Sequence, residues 1–493
     1  MANEKGLDEE PIYVCRIPKQ ASSYRGSLNA HPVKVEFEKD DPRDPFNWSA
    51  SKKWLITIVG CAYTGFVSSA ASAYPVGYPS MTRDLNCTVL QASAGLTTYI
   101  GGFGVAPLVL ASFSEEFGRR PMYLVTCAFF CIFFLPIALA QNIATVIICK
   151  FIQGSAASTG ATMVGGTLAD MWRTADRGVP MNLYAAAALF SVGLGPVIAG
   201  WIENNRNLEW RWINLAILLS TSGAYWLVLY FFMEETRGSV LLIRQVHLLR
   251  KESGDNRYRP RIEDERPSLR ELIWISCTRP IWLLITEPVV LSFSIWIGFV
   301  WGVLFALIES VGLVFGTLYP QFNPGQLGAV FATVSIGSLI GFITVATRGP
   351  EARLYFACIG GILIVIGAII YAWTTIEHRS NIPWIAPCIG ITVFIVGLFH
   401  VYLAVFNYLA DAYLIYASSA LSGQSFLRNI MAAAFPLFTR QMYRKLTFPW
   451  ASMLFALISL LLCLCPFILI IWGSEIRARS RFAKRLAASH TNH

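Results

Sequence analysis

About twelve long apolar runs dominate this chain and decide what it can fold into. They fall at roughly 54–74, 91–111, 121–140, 143–169, 180–202 and 212–233, and again at roughly 282–310, 326–346, 354–374, 383–409, 419–439 and 448–472. A bilayer core ~30 Å thick is crossed by ~20 apolar residues in helical form. The chain is 55% hydrophobic and only 14% charged, where a soluble domain carries about a quarter. No single core hides that much apolar surface, so lipid must be the solvent for much of it. Lipid leaves only helices or closed barrels for a spanning backbone. The runs are long and continuous rather than short and alternating, which selects helices.

The spans divide six and six around a hydrophilic stretch from Glu234 to Arg279. This gives a cytoplasmic tail over 1–53, a six-helix half over 54–233, a cytoplasmic linker over 234–281, a second half over 282–472 and a cytoplasmic tail over 473–493. Two facing halves around a central cavity is a common plan for secondary transporters. The first part of the linker has helical spacing of Leu and Arg and reads as an amphipathic helix on the inner membrane surface. The first fifty residues are polar, with no apolar stretch after a basic start. No cleaved secretory signal is expected there, and the first span directs insertion.

The net charge of +9 follows topology rather than nucleic acid. With both termini inside, nine Lys/Arg lie in the N-terminal tail, ten in residues 234–281, five in the C-terminal tail and six in the short inner loops, against seven in the outer loops. That asymmetry is a positive-inside signature. Most of the eleven cysteines fall inside spans without a CxxC pair, so they read as small packing residues rather than a disulfide framework. No metal-ligand cluster, phosphate-binding GxxxxGK[ST] run or catalytic triad is evident. The chain is therefore expected to be neither an enzyme nor a cofactor protein, and to draw on an ion gradient. Asn86-Cys87-Thr88 forms a glycosylation sequon in the first outer loop.

Between the second and third runs lies "SFSEEFGRRP", Ser112 to Pro121, with four charges in a short connection. Gly118 suits a tight turn. Arg119 and Arg120 read either as topology anchors or as partners of Glu115 and of neighbouring helix ends, in a latch that forms in one conformation and releases in the other. Gly193, Pro196 and Gly200 share one helical face, where missing side chains admit a neighbouring helix and proline permits bending. Lys150 lies about seven residues inside the outer end of the fourth run, ~10 Å deep at 1.5 Å per residue. A cation there faces a polar cavity or a partner, or else snorkels outward. Lysine, unlike arginine, can lose its proton when buried; Gln153 is a hydrogen-bonding neighbour. Arg428 is a second cation near mid-depth of the eleventh span. His400, Asn407 and Asp411 share a face of the tenth: His400 is a proton-relay candidate, and Asp411, at the inner end, a latch partner. Glu287 and Glu309, near opposite ends of the seventh span, are interfacial or carry a coupling proton.

The pattern Pro107, Ser114-Glu115, Gly118-Arg119-Arg120-Pro121 resembles the loop 2–3 signature of the major facilitator superfamily, in the form found in fungal drug:proton antiporters with twelve spans. Ala111 and Glu115 stand where that signature usually has Gly and Asp. "DDPRDPFNWS" resembles the segment before the first span, and "KFIQGSAAS" the Arg-x-x-Gln-Gly element of the fourth, with Lys150 for arginine. "GGTLADMW" and the following "DRG" are similar to the next inner loop, which adds Asp170 and Arg173 to the implied latch. "GLGPVIAG", holding Gly193, Gly195, Pro196 and Gly200, is similar to an antiporter motif taken to limit proton leak and favour export. "TEPVVLSFSIW", "PEARL", "NYLADAY" and "SFLRNIMAAAFPLF" resemble elements of the polyamine and multidrug branch. Together these cover about residues 41 to 472.

The resemblance implies the major facilitator fold and a monomer in the plasma membrane. It would bind protons and a small-molecule substrate and export the substrate by alternating access. The mid-membrane charges, Lys150 and Arg428, are cationic while the acids sit at span ends, which favours a neutral or anionic compound such as an organic acid or secondary metabolite. A polyamine or cationic-drug exporter, a proton-symport nutrient importer and a non-transporting sensor remain as alternatives.

Overall fold

The computed structural model describes residues 14–15, 33–37, 40–174, 176–254, 258–260, 268–346, 353–376, 382–413 and 416–479. Among these, ten helices are long and apolar enough to cross a membrane, and Val89–Val105 with Pro107–Phe117 forms an eleventh span bent by 45°. Pro107 sits at the bend, where its missing N–H breaks the ladder. Ala417–Leu446 completes a set of twelve; Gln424, Arg428 and Asn429 keep its apolarity low, and all three are buried inside the bundle. The spans, numbered one to twelve below, form the all-α two-times-six arrangement expected from the sequence.

Close backbone approach holds each half together, as it must where lipid offers no hydrophobic drive between helices. In the first half, Ser69 Oγ of span one donates to the Ser191 carbonyl of span five at 2.9 Å. A Cβ on Gly154 of span four would overlap the Tyr99 backbone of span two. In the second half, a Cβ on Gly397 of span ten would lie 2.7 Å from Ile364 N of span nine.

Span seven, Pro288–Leu318, starts later than the apolar run suggests. Residues 282–286 belong to a separate helix, Leu269–Thr286, which is capped by Ser268. Pro288 is the reason: the residue before a proline is pushed out of the α region, and Glu287 is extended at φ −107° and ψ 103°. Ser112 of span two ties this helix to the first half, donating to Leu272 O at 3.1 Å and meeting Ser276 Oγ at 2.7 Å.

The linker helix Gly238–Ser253 turns its apolar face to the N-terminal tail rather than to lipid. Leu242 and Val246 bury against Val35, with Phe37, Leu249 and Tyr258 around them. Strand Val33–Val35 of the tail pairs in parallel with Tyr258–Pro260 of the linker, so tail and linker fold together. Arg43 clasps Asp41 at 2.8 Å. Burial works against the Asp41 carboxylate, but the Arg43 side-chain and backbone hydrogen bonds outweigh it and hold the carboxyl below its ordinary range.

Candidate functional site

A cavity of about 990 Å³ lies between the halves. Its walls come from spans one to five of the first half and eight to eleven of the second. It reaches the exposed loop residues Thr174 and Asp176, so it opens at the end of the bundle that carries the linker.

The far end is shut by spans five and eight. Ser335 Oγ donates to the Phe190 carbonyl at 2.7 Å across the seam. A Cβ on Gly193 would stand 2.7 Å from Ser335 N, and one on Gly200 3.0 Å from the Gly328 Cα. The glycine face expected on span five therefore exists, and its partner is the other half. Gly195 serves a different contact, against Ser69 and Ser72 of span one. Pro196 is buried within the unbroken helix Gly178–Glu203.

Arg428 is the charge set deepest in the cavity wall. Its guanidinium lies 4.6 Å from the Trp301 ring centre and 5.3 Å from that of Tyr402, and the two rings are 5.4 Å from each other, so both stand to one side of it. Nη2 meets Ser425 Oγ at only 3.4 Å, and among the described residues buried Nε has no hydrogen-bond partner. The acids that line the cavity, Glu115 and Asp176, belong to its mouth. His400 and Asn407 also line it. The His400 Nδ1–H donates to Val396 O at 2.7 Å, since a carbonyl only accepts, and Nε2 meets Thr344 Oγ1 at 3.1 Å.

Lys150 is not in the cavity wall. It is 1% exposed and donates to Gln153 Oε1 at 3.0 Å. The rings of Tyr74, Tyr99 and Phe134 stand 4.7, 5.5 and 5.9 Å from Nζ. Among the described residues no carboxylate pairs with it. Gln153 is in turn anchored, donating to Phe130 O at 3.4 Å. Glu287 and Glu309 also stand outside the cavity: Glu287 accepts from the Tyr413 hydroxyl at 3.1 Å, and Glu309 is buried near Arg440 at the far end.

The charged loop gathers inside the first half. Arg119 Nε bonds Asp170 Oδ2 at 3.0 Å and Nη1 bonds Ser114 Oγ at 2.7 Å. Gly118, at φ 98°, turns the chain so that the first N–H groups of the next helix converge on Glu235. That carboxylate accepts from Arg119 N at 2.9 Å, Arg120 N at 3.2 Å and Arg237 N at 2.9 Å, capping positive helix-terminal dipoles. Arg237 reaches Asp170 at 3.2 Å and Glu115 at 3.9 Å. Arg120 caps the end of span six at Tyr230 O, 3.0 Å away. Arg173 stays outside this cluster, 3.4 Å from Asn47. Asp411 is at the linker end of span ten, and its side chain lies outside the described residues. Glu235 and Arg237 fall in the stretch that the sequence assigns to the linker; the one signal for them is an acidic pair placed directly at the end of span six. Asn86 is exposed in a left-handed turn at φ 46°.

The family model described as Major Facilitator Superfamily matches residues 59–436. The chain belongs to the major facilitator superfamily. Within it, the chain is 36% identical to "Efflux pump atB" of Aspergillus terreus, covering 90% of this chain and 88% of that protein. It is 32% identical to "Major facilitator superfamily multidrug transporter mdrA" of Aspergillus fumigatus, over 94% and 78%. It is 30% identical to "Multidrug transporter TPO1_2" of Candida glabrata, over 92% and 81%. A major facilitator structure, the proton:xylose symporter XylE bound to a glucose analogue, superposes with a TM-score of 0.62 at 13% identity, over 86% of this chain and 96% of that one; it bears on fold alone. The expected relation to the fungal drug-efflux branch is borne out, and the protein is a multi-pass membrane transporter rather than an enzyme.

Proposed function

We propose that this transporter exports a small organic compound, an organic acid or other secondary metabolite, across the plasma membrane in exchange for protons. The cavity carries the reading: it is sealed at one end, open at the other, and holds a buried, incompletely bonded guanidinium at Arg428. A site of that charge, whose carboxylates among the described residues lie only at its mouth, suits a neutral or anionic guest. The basic tails and linker favour placing the open end in the cytoplasm, so the conformation is the one that loads an export substrate. The relatives named as efflux pumps and multidrug transporters support the direction.

Under this reading residues 54–233 and 282–472 act as two bodies that rock about the cavity. Lys150 lies behind it in an aromatic box without a carboxylate, where lysine changes protonation state at lower cost than arginine. Its charge and an occupied cavity would bias opposite-facing states.

The test is efflux from cells or vesicles loaded with organic acids, neutral metabolites, drugs and polyamines, with and without a proton gradient, in wild type and Lys150→Met. Gradient-driven efflux of an anionic or neutral compound, lost in the mutant, is expected. Movement of polyamines or cationic drugs alone overturns the substrate class, and gradient-independent efflux overturns the coupling.

A further inference from the structure

At the far end of the bundle, remote from the cavity, three buried polar side chains meet where the halves close. Glu309 of span seven has a side chain 0% exposed. Among the described residues neither of its carboxylate oxygens has a hydrogen-bond partner. The cation beside it is Arg440 of span eleven, whose Nε stands 3.6 Å from Oε1. That is well beyond the ~2.7–2.9 Å of a charge-assisted bond, and the Nε is itself unbonded. The first half contributes Tyr78, 2% exposed. Its hydroxyl is set toward the carboxyl without reaching bonding geometry, and its ring lies 6.0 Å from the Arg440 guanidinium. The charged or titratable groups that face Glu309 are Arg440 from its own half and Tyr78 and Tyr74 from the other.

We infer that Glu309, Arg440 and Tyr78 form a proton-binding site sealed between the two halves, and that a proton on Glu309 holds the far end shut. The reason is the cost of burial. An ionised carboxylate with no hydrogen bond in a dry site is expensive, whereas a neutral carboxyl is not. The neutral group also gains an O–H to offer Tyr78 across the seam. When the halves part at this end, water reaches the carboxyl and stabilises its ionised form. Protons therefore favour the sealed state, by the linkage that any ligand has with the conformation that binds it better. The proton is taken from water on the far face and returned to it, forming and breaking one O–H bond. None of the three residues lines the cavity, so this switch is separate from substrate binding. It rests on the proposed function only for which face of the membrane the far end meets.

The experiment uses full-length protein with its native cysteines replaced and spin labels at Asn205→Cys and Gln321→Cys, two exposed sites on opposite halves at the far end. Their separation is measured by pulsed electron paramagnetic resonance at about pH 5 and about pH 8, a range spanning perturbed carboxyl titration. The expected result is a short-distance population that dominates at the lower pH and shrinks at the higher one. Glu309→Gln, a permanent neutral mimic, keeps the short distance at both. A wild-type distribution that ignores pH, or a Gln variant that titrates like wild type, overturns the inference. Should Glu309→Gln fail to fold, Arg440→Gln decides: loss of the cation favours the neutral carboxyl and moves the transition up by about one pH unit, and an unmoved transition is contrary. Labelling of the same cysteines by an impermeant maleimide in intact cells tests the face separately. Labelling only after permeabilisation defeats the proposed orientation and leaves the distance result to judge the switch.

Discussion

Arg119 and Asp170 meet at 3.0 Å with both side chains nearly buried, 9% and 12% exposed. The two residues come from spans three and four, in one half of the molecule. In this conformation the signature charges therefore brace the first half and the start of the linker, while the cavity mouth beside them stands open. Removing one member of a buried pair strands the other, at about 3–5 kcal/mol. Asp170→Asn should lower the melting temperature in detergent markedly. In a double-mutant cycle with Arg119→Gln the losses should fall well short of additive. Additive losses would mean the pair is incidental.

Glu235 accepts three backbone N–H groups. Glu235→Ala leaves them buried or half-buried without a partner, at about 1–3 kcal/mol, so it should destabilise the protein. Glu235→Gln, which keeps one acceptor oxygen, should cost clearly less. Equal melting curves for the two variants would show that the negative charge, rather than an acceptor oxygen or the bulk of the side chain, is what stabilises this turn. Gly118→Ala should be at least as harmful. It forces a side chain into φ 98°, and its Cβ would meet the Glu235 carboxyl carbon at 2.7 Å.

How much of this was legible follows from which physics acts locally. The spans were readable because lipid imposes length and apolarity on each one separately. The start of span seven was misplaced because apolarity runs straight through Glu287 and Pro288 while the backbone does not. Gly193 and Gly200 could be set on one face by spacing, but nothing local named span eight as what packs there. Burial of Lys150 was readable from depth. Its box was not, since Tyr74, Tyr99 and Phe134 come from three separate segments. Glu235 was missed for the same reason: two of its three partners, the N–H groups of Arg119 and Arg120, are more than a hundred residues away, and only the Gly118 turn aims them at it.

Span five closes on span eight with no room for side chains at Gly200 and Gly328. Gly200→Val adds atoms into that contact, and overpacking costs about 1–3 kcal/mol. The cost falls only on the conformation sealed at the far end, so the population should shift toward opening there. Maleimide reactivity of Asn205→Cys should rise by about tenfold for each ~1.4 kcal/mol. Transport should fall even though the folded protein is recovered in normal yield. Unchanged reactivity would mean that the contact bends to admit the valine.

Arg428 lines the cavity, with the Trp301 and Tyr402 rings set against one side of its guanidinium. Hydrogen bonds to charged groups contribute about 1.5–3 kcal/mol, so an anionic substrate should bind about ten to a hundred times more weakly to Arg428→Gln. Arg428→Lys keeps the charge but loses the planar fork, so it should recover only part of that loss. A neutral substrate should lose much less in either variant. Equilibrium binding to purified protein, with transported compounds ranked by charge, separates these cases. If anions and neutral compounds lose affinity equally in Arg428→Gln, the guanidinium shapes the wall rather than reading the guest's charge. A cationic compound that binds more tightly to the Gln variant would, by contrast, support a site whose charge selects against cations.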